Sequence, residues 1–128
     1  MDLSGLKVMI IDDSNTIRRS AEIFLSQVGC QVLLAEDGFD ALAKITDHHP
    51  DVIFVDIMMP RLDGYQTCAL IKKNPKLSAT PVIMLSSKDG LFDRARGRMV
   101  GSDEYLTKPF TKDSLIRAVT EHSGAHLR

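Results

Sequence analysis

The stretch VIFVDIMMPRLDGY, residues 52–65, decides the fold of this chain. It opens with four apolar residues of the β-branched and aromatic types, which favour a short strand buried on both faces. The run ends abruptly at Asp56, and a turn from Met59 to Gly64 precedes a predicted helix. A carboxylate at the end of a buried strand costs free energy unless it faces a polar pocket or a cation. Asp56 is therefore a candidate site residue, although a cap or turn residue is the simpler interpretation of this acid alone.

Five predicted strands alternate with five predicted helices along the chain. The strands cover residues 7–11, 31–35, 52–55, 81–85 and 103–106. The helices begin after an N-cap at Ser14, cover residues 39–49, 65–73 and about 89–99, and begin again after a cap at Thr111. In the second helix, Phe39, Leu42 and Ile45 are expected to face the core because they fall at helical spacing.

Short connections between alternating strands and helices predict a doubly wound α/β fold. The sheet is expected to hold five parallel strands in the flavodoxin-like order 2-1-3-4-5, with helices on both faces. A chain of 128 residues, 44% of them hydrophobic, is the size of one compact domain. We therefore expect residues 1–128 to form a single domain, without a separate output domain.

The composition argues against nucleic-acid and membrane partners. Sixteen Lys and Arg residues stand against seventeen Asp and Glu residues, a net charge of −1, and the basic residues form no long run. General affinity for nucleic acid therefore has no electrostatic basis. The chain has no signal-peptide pattern after Met1, no stretch long enough to span a membrane, and no CxxC pair between Cys30 and Cys68. We expect a cytoplasmic protein with reduced thiols and no membrane insertion.

Polar residues follow four of the predicted strands. Asp12 and Asp13 follow the first strand, Asp56 the third, Ser86 the fourth, and Lys108 stands two residues beyond the fifth. The carboxyl ends of parallel strands border one crevice, so these side chains are expected to converge there. Three carboxylates at close range repel one another, which raises the pKa of at least one unless a cation intervenes.

Mg²⁺ is the cation that suits a set of carboxylate ligands, and the absence of Cys and His from the predicted cluster argues against zinc. A carboxylate beside Mg²⁺, an ammonium and a hydroxyl can accept a phosphoryl group. Asp56 would be the nucleophile, with Lys108 and Ser86 contacting the phosphoryl oxygens. Asp12 and Asp13 would hold the metal.

Four segments, IIDDS (10–14), VDIMMPRLDG (55–64), PVIMLSS (81–87) and YLTKPF (105–110), resemble the signature of response-regulator receiver domains, the CheY-like family. The resemblance covers essentially the whole chain. It implies a phosphoacceptor at Asp56, a Mg²⁺ site at Asp12, Asp13, Asp56 and the main-chain carbonyl of Met58, a switch hydroxyl at Ser86, a phosphate-binding lysine at Lys108 and an aromatic switch residue at Tyr105. The family also implies a cis bond between Lys108 and Pro109.

The resemblance further implies the partners of the chain. A histidine kinase would donate the phosphoryl group, and the face of the fourth helix, fifth strand and fifth helix would change its affinity for a downstream protein. Longer runs such as FVDIMMPRLDGYQTCALIK resemble single-domain members that control type IV pilus twitching motility, which implies a chemosensory kinase. The chain would be a switch and not an enzyme, beyond its own phosphotransfer and dephosphorylation. It departs from the common pattern at Ser87, Met58 and Lys88.

Three other functions are compatible with this topology. An aspartyl-phosphate phosphatase resembles the chain in its nucleophile but carries a second acid two residues later, where this chain has Met58. A flavin or nucleotide carrier needs a phosphate-binding loop after the first strand, where Asp12 and Asp13 would repel a phosphate. A third possibility is a scaffold that binds its partner constitutively. For Tyr105, a purely structural role is also compatible with the sequence. The four histidines are assigned no site.

Overall fold

The structure is a computed structural model, and it describes residues 3–87 and 91–123, without the side chains of residues 91 and 92. Five parallel strands form one sheet: β1 (Lys7–Ile11), β2 (Gln31–Ala35), β3 (Val52–Asp56), β4 (Val82–Ser86) and β5 (Glu104–Thr107). Their order is β2-β1-β3-β4-β5. The predicted fold class and strand order are therefore confirmed.

Five helices connect or follow these strands: α1 (Asn15–Ser26), α2 (Gly38–His48), α3 (Gly64–Lys73), α4 (Leu91–Met99) and α5 (Lys112–Ser123). Ser14 caps α1 as predicted, since its side chain accepts a hydrogen bond from the Ile17 amide. The predicted start of the fourth helix at residues 89–90 lies outside the described residues. None of the helices in the described ranges combines the length and the apolar character that crossing a membrane requires.

Alternating side chains of the central strands supply a separate core on each face of the sheet. On one face, residues of β1, β3 and β4 pack with α2 and α3; this core includes Met9, Ile53, Met84, Ile45 and Ile71. On the other face, the intervening residues pack with α1 and α5; this core includes Ile10, Phe54, Leu85, Leu25 and Leu115. Because both faces are covered, the central strands are apolar along their length, and polar groups collect at their ends.

One expectation about the core is wrong. Phe39, which helical spacing placed inside, is 54% exposed. The preceding residue, Gly38, takes the buried place, where a β-carbon would lie 2.4 Å from the Thr67 hydroxyl and 2.7 Å from Leu62. The Phe39 ring instead lies outside, with the guanidinium carbon of Arg61 5.3 Å from its centroid. Close packing between α2 and the loop after β3 therefore turns this aromatic ring towards solvent.

The loop after β3 returns the chain tightly to the sheet. Asp63 caps α3 in a reciprocal capping box with Gln66. The Gly64 amide donates to the Ile57 carbonyl at 2.9 Å, and a β-carbon on Gly64 would lie 2.4 Å from the Asp56 carbonyl oxygen. Only glycine permits this approach, so the first turn of α3 rests directly on the main chain of Asp56.

Candidate phosphoryl-acceptor site

The ends of β1 and β3 bring three acidic residues together. Ile11 of β1 pairs with Val55 of β3, so Asp12 and Asp56 follow neighbouring residues of adjacent strands. Carboxylate oxygens of Asp12, Asp13 and Asp56 lie within 4.8 Å of one another. Asp12 and Asp56 are buried, whereas Asp13 is exposed. The structure thus brings together the three carboxylates that the sequence predicted at this edge.

Lys108 completes this group from the end of β5. Its ammonium donates hydrogen bonds to Asp12 Oδ2 at 2.8 Å and to Asp56 Oδ1 at 3.0 Å. Its main-chain amide donates to the Ser86 carbonyl at 2.6 Å, and the peptide bond to Pro109 is cis, as the family resemblance implied. The side chain is only 17% exposed, so Lys108 is held in the crevice and is not a solvated loop lysine.

Asp12 is fixed by neighbours on both of its carboxylate oxygens. Oδ1 accepts a hydrogen bond from the Ser14 amide at 2.8 Å, while Oδ2 accepts from Lys108. The Asp12 main-chain carbonyl accepts from the guanidinium of Arg18, one turn into α1. This contact of Arg18 was not anticipated from the sequence. No spacing rule identifies it, because the bond goes to a carbonyl in the preceding loop.

The environment of Asp56 favours its protonated form. Burial and, after it, the charge of Asp12 raise the pKa of this carboxyl, and the net pKa is about 6 in place of 3.8. Hydrogen bonds from Lys108 and from the Met58 amide oppose this change but do not cancel it. A carboxylate that is costly to ionise in this way is typical of a functional site.

Burial and the acidic partners of Lys108 shift the pKa of its ammonium in opposite directions. Burial alone lowers the pKa of its ammonium, but the hydrogen bonds and charges of Asp12 and Asp56 raise it by more, so the net pKa lies above the usual value. The lysine is therefore charged at neutral pH. It supplies the positive charge that the two buried carboxylates require.

A cavity of about 530 Å³ opens beside these residues. Ser86, which is 2% exposed, lines it together with Asp13, and Met58 stands at its mouth with 63% of its surface exposed. Ser87 is exposed, and Lys88 lies outside the described residues. The cavity gives a small anionic group access to the carboxylates from solvent.

Tyr105 lies on β5 with its ring turned inward. It is 7% exposed and belongs to the core shared with Met84. The guanidinium carbon of Arg94 lies 5.0 Å from the centroid of its ring.

The residues present fit a magnesium ion. All three candidate side-chain ligands are carboxylates, the oxygen ligands that Mg²⁺ prefers, and their oxygens lie close enough to share one ion. A second group within the same distance of one another consists of Glu104, Glu121 and His122. There, His122 Nε2 lies 2.8 Å from Glu104 Oε1, and this hydrogen bond accounts for the proximity.

Three residues of the cavity wall were not anticipated from the sequence. They are Tyr65 of α3 and Asp93 and Arg96 of α4. Tyr65 is 5% exposed, and its hydroxyl donates to the Asp93 carbonyl at 3.2 Å. These contacts depend on how α3 and α4 pack together, and the periodicity of neither helix reveals them.

Comparisons with known proteins agree with this geometry. A family model described as "Response regulator receiver domain" matches residues 8–120. Protein PilG of Pseudomonas aeruginosa is 72% identical over 118 residues, which cover 92% of this chain and 87% of PilG. The chain spans less than half the length of other curated relatives, the probable transcriptional regulators named ycf27, for example 47% of that of Cyanophora paradoxa.

Solved structures share the fold. The chemotaxis protein CheY4 of Vibrio cholerae has a TM-score of 0.88 and 31% identity, covering 91% of this chain and 98% of CheY4. The receiver domain of the sensor histidine kinase PA1611 of Pseudomonas aeruginosa has a TM-score of 0.87 and 27% identity, covering 95% of this chain and 100% of that domain. That structure has a magnesium ion coordinated in its active-site cleft. The chain therefore belongs to the response regulator receiver domain family.

Proposed function

We propose that the chain is a phosphorylation switch in which Asp56 accepts a phosphoryl group from a histidine kinase. The observation that carries this proposal is the convergence of Asp56, Asp12 and Lys108, with distances of 2.8 and 3.0 Å from the ammonium to the two buried carboxylates. A buried carboxylate with a raised pKa and a fixed cation beside it is suited to nucleophilic chemistry on phosphorus.

Each residue of the site would have a separate role in the phosphoryl transfer. A carboxylate oxygen of Asp56 forms a bond to phosphorus as the bond from phosphorus to the imidazole nitrogen of the donor breaks, and the electron pair leaves with that nitrogen. Lys108 neutralises charge on the phosphoryl group, and the Ser86 hydroxyl donates a hydrogen bond to it. Asp56 must be ionised to attack, so a pKa of about 6 leaves it competent at neutral pH.

Asp12, Asp13, Asp56 and the main-chain carbonyl of Met58 would hold Mg²⁺. The ion supplies positive charge that screens the phosphoryl oxygens from the carboxylates. Asp13 is suited to this role because it is exposed and reaches the other two carboxylates from the solvent side. Met58 contributes only its main chain, since its side chain points into solvent.

We further propose that the switch controls type IV pilus twitching motility. The 72% identity to PilG supports this pathway and a chemosensory kinase as the phosphodonor. The output would be a change in affinity for a downstream protein at the face of α4, β5 and α5; α4 and β5 follow Ser86 in the chain, and α5 follows Lys108.

The test uses acetyl phosphate as a small phosphodonor. The wild-type chain should be labelled in the presence of Mg²⁺ and not in the presence of EDTA, and Asp56→Asn should abolish the labelling. Asp47→Asn, a change at an exposed acid of α2, is the matched control and should be labelled like the wild type. Undiminished labelling of Asp56→Asn would refute the assignment.

A constitutive scaffold is the second candidate, because Tyr105 is 7% exposed and packed in a core, as a residue with a purely structural role would be. In a scaffold the output face already has its binding conformation, so the phosphoryl group changes nothing there. The discriminating measurement is the amide hydrogen exchange of β5 and α5 with and without beryllofluoride, a phosphoryl mimic. A scaffold predicts identical exchange, and a switch predicts a difference of several-fold.

A further inference from the structure

The described side chains of helix α4, those of residues 93–99, differ in burial from the side chains of the other helices. Each of the other four buries at least two side chains in one of the two cores; examples are Leu25, Ile45, Ile71 and Leu115. Among residues 93–99 of α4, whose side chains the structure describes, only Gly97 is buried, and it has no side chain to place in a core. A segment with few buried side chains opens at low free energy, so the specific contacts that residues 93–99 make with neighbouring elements matter for the position of this part of α4.

Two of these contacts are stacks between arginines of α4 and tyrosines of neighbouring elements. Arg94 lies over the Tyr105 ring of β5 at 5.0 Å, and Arg96 lies over the Tyr65 ring of α3 at 4.3 Å. The Tyr65 hydroxyl adds a hydrogen bond to the Asp93 carbonyl at 3.2 Å. Tyr65 thus contacts α4 in two ways, through its ring and through its hydroxyl.

Tyr65 is also tied to the main chain of Asp56. It follows Gly64, whose α-carbon packs against the Asp56 carbonyl and whose amide donates to Ile57 at 2.9 Å. A displacement of the Asp56 main chain therefore reaches Tyr65 through one tightly packed residue. On the other side of the cavity, the same helix α4 follows Ser86 after four residues.

We propose that Tyr65 is a positioning residue that couples the occupancy of the Asp56 site to the position of α4. The proposal rests on the proposed phosphoacceptor role of Asp56. Tyr65 lines the same cavity as Asp13 and Ser86, and it holds α4 by its hydroxyl and its ring. Arg96 is its partner on α4.

A purely structural tyrosine would give a different result from a coupling tyrosine. Removing a structural contact changes the exchange of α4 amides by the same factor whether or not the Asp56 site is occupied. Removing a coupling contact reduces the difference between the two states, because coupling is a free energy shared by the two sites. The informative readout is therefore the change that a phosphoryl mimic causes, and not the stability of α4 alone.

The experiment measures amide hydrogen exchange of residues 93–99 with and without Mg²⁺ and beryllofluoride, and fluorine NMR reports occupancy in each variant. Tyr65→Phe keeps the ring and removes the hydroxyl, while Arg96→Gln removes the charge over the ring. Arg98→Gln changes another exposed arginine of the same helix and is the matched control.

In the wild type and Arg98→Gln, beryllofluoride should change the exchange of α4 by about fivefold or more, the lower end of ordinary allosteric coupling. In Tyr65→Phe and Arg96→Gln, the mimic should bind but change the exchange by less than about twofold. A wild-type response in both variants would overturn the proposal. An unresponsive α4 in a wild type that binds the mimic would also overturn it, but would leave the phosphoacceptor role intact. Failure of the wild type to bind the mimic at all would overturn both.

Discussion

Replacing Asp56 by asparagine should stabilise the metal-free protein at neutral pH. The substitution keeps the shape of the side chain and removes a charge that is buried beside Asp12. A pKa of about 6 in place of 3.8 means that ionising this carboxyl in the folded protein requires about 3 kcal/mol more than in the unfolded chain. Because Lys108 loses one anionic partner in the variant, the expected net gain is about 1 to 3 kcal/mol.

The gain should depend on pH with a definite sign. The folded-state pKa of Asp56 is raised, so the folded protein binds more protons than the unfolded chain between about pH 4 and pH 6. The stability that this group contributes is present below about pH 4 and is lost as the pH rises through about 6. The advantage of the variant should therefore be small at low pH, grow through this window and stay constant above about pH 7.

Urea denaturation in EDTA at about pH 4.5 and pH 8 measures this difference, with Asp47→Asn as the control. That exposed acid should change stability by no more than about 0.5 kcal/mol at either pH. A variant at Asp56 that is less stable than the wild type at pH 8 would refute the reasoning. So would an advantage that is the same at both pH values, because the charge would then not be its cause.

Two further substitutions test the other members of the site. Lys108→Ala should lower the metal-free stability by about 3 to 5 kcal/mol, since it leaves two buried carboxylates without their ammonium. Saturating Mg²⁺ should restore part of the loss. Denaturation with and without Mg²⁺ measures both effects, and unchanged stability in EDTA would contradict them. Asp13→Ala removes an exposed carboxylate, so it should raise metal-free stability by no more than about 0.5 kcal/mol but weaken Mg²⁺ binding by roughly tenfold. Calorimetric titration with Mg²⁺ measures the second effect, and an unchanged affinity would remove Asp13 from the metal site.

The sheet could be predicted from the sequence because its central strands are covered on both faces. Such strands give uninterrupted apolar runs, and each run here ends at the point where the polar residues begin. Ligands bind at the carboxyl ends of parallel strands, and this rule is enough to predict that Asp12, Asp56 and Lys108 lie close together. The resemblance to receiver domains added the residue roles, which spacing alone does not supply.

Other features could not be predicted because they depend on contacts between elements. Helical spacing placed Phe39 in the core, but the close approach of Gly38 to Leu62 turned the helix so that the ring faces solvent. The sequence also does not predict that the Tyr105 ring points inward, because a strand residue has the same sequence pattern with either rotamer. The stack of Arg96 on Tyr65 joins two helices that are separated by β4, and no local signal connects them.

The central claim is that acids from the ends of β1 and β3 form one site in which Asp56 is the nucleophile. The most direct measurement locates the phosphoryl group by peptide mass spectrometry after treatment with acetyl phosphate and Mg²⁺. The account predicts one phosphoryl group per chain, on the peptide that contains Asp56 and on that residue. A phosphoryl group on any other residue, or none at all in the presence of Mg²⁺, would contradict it.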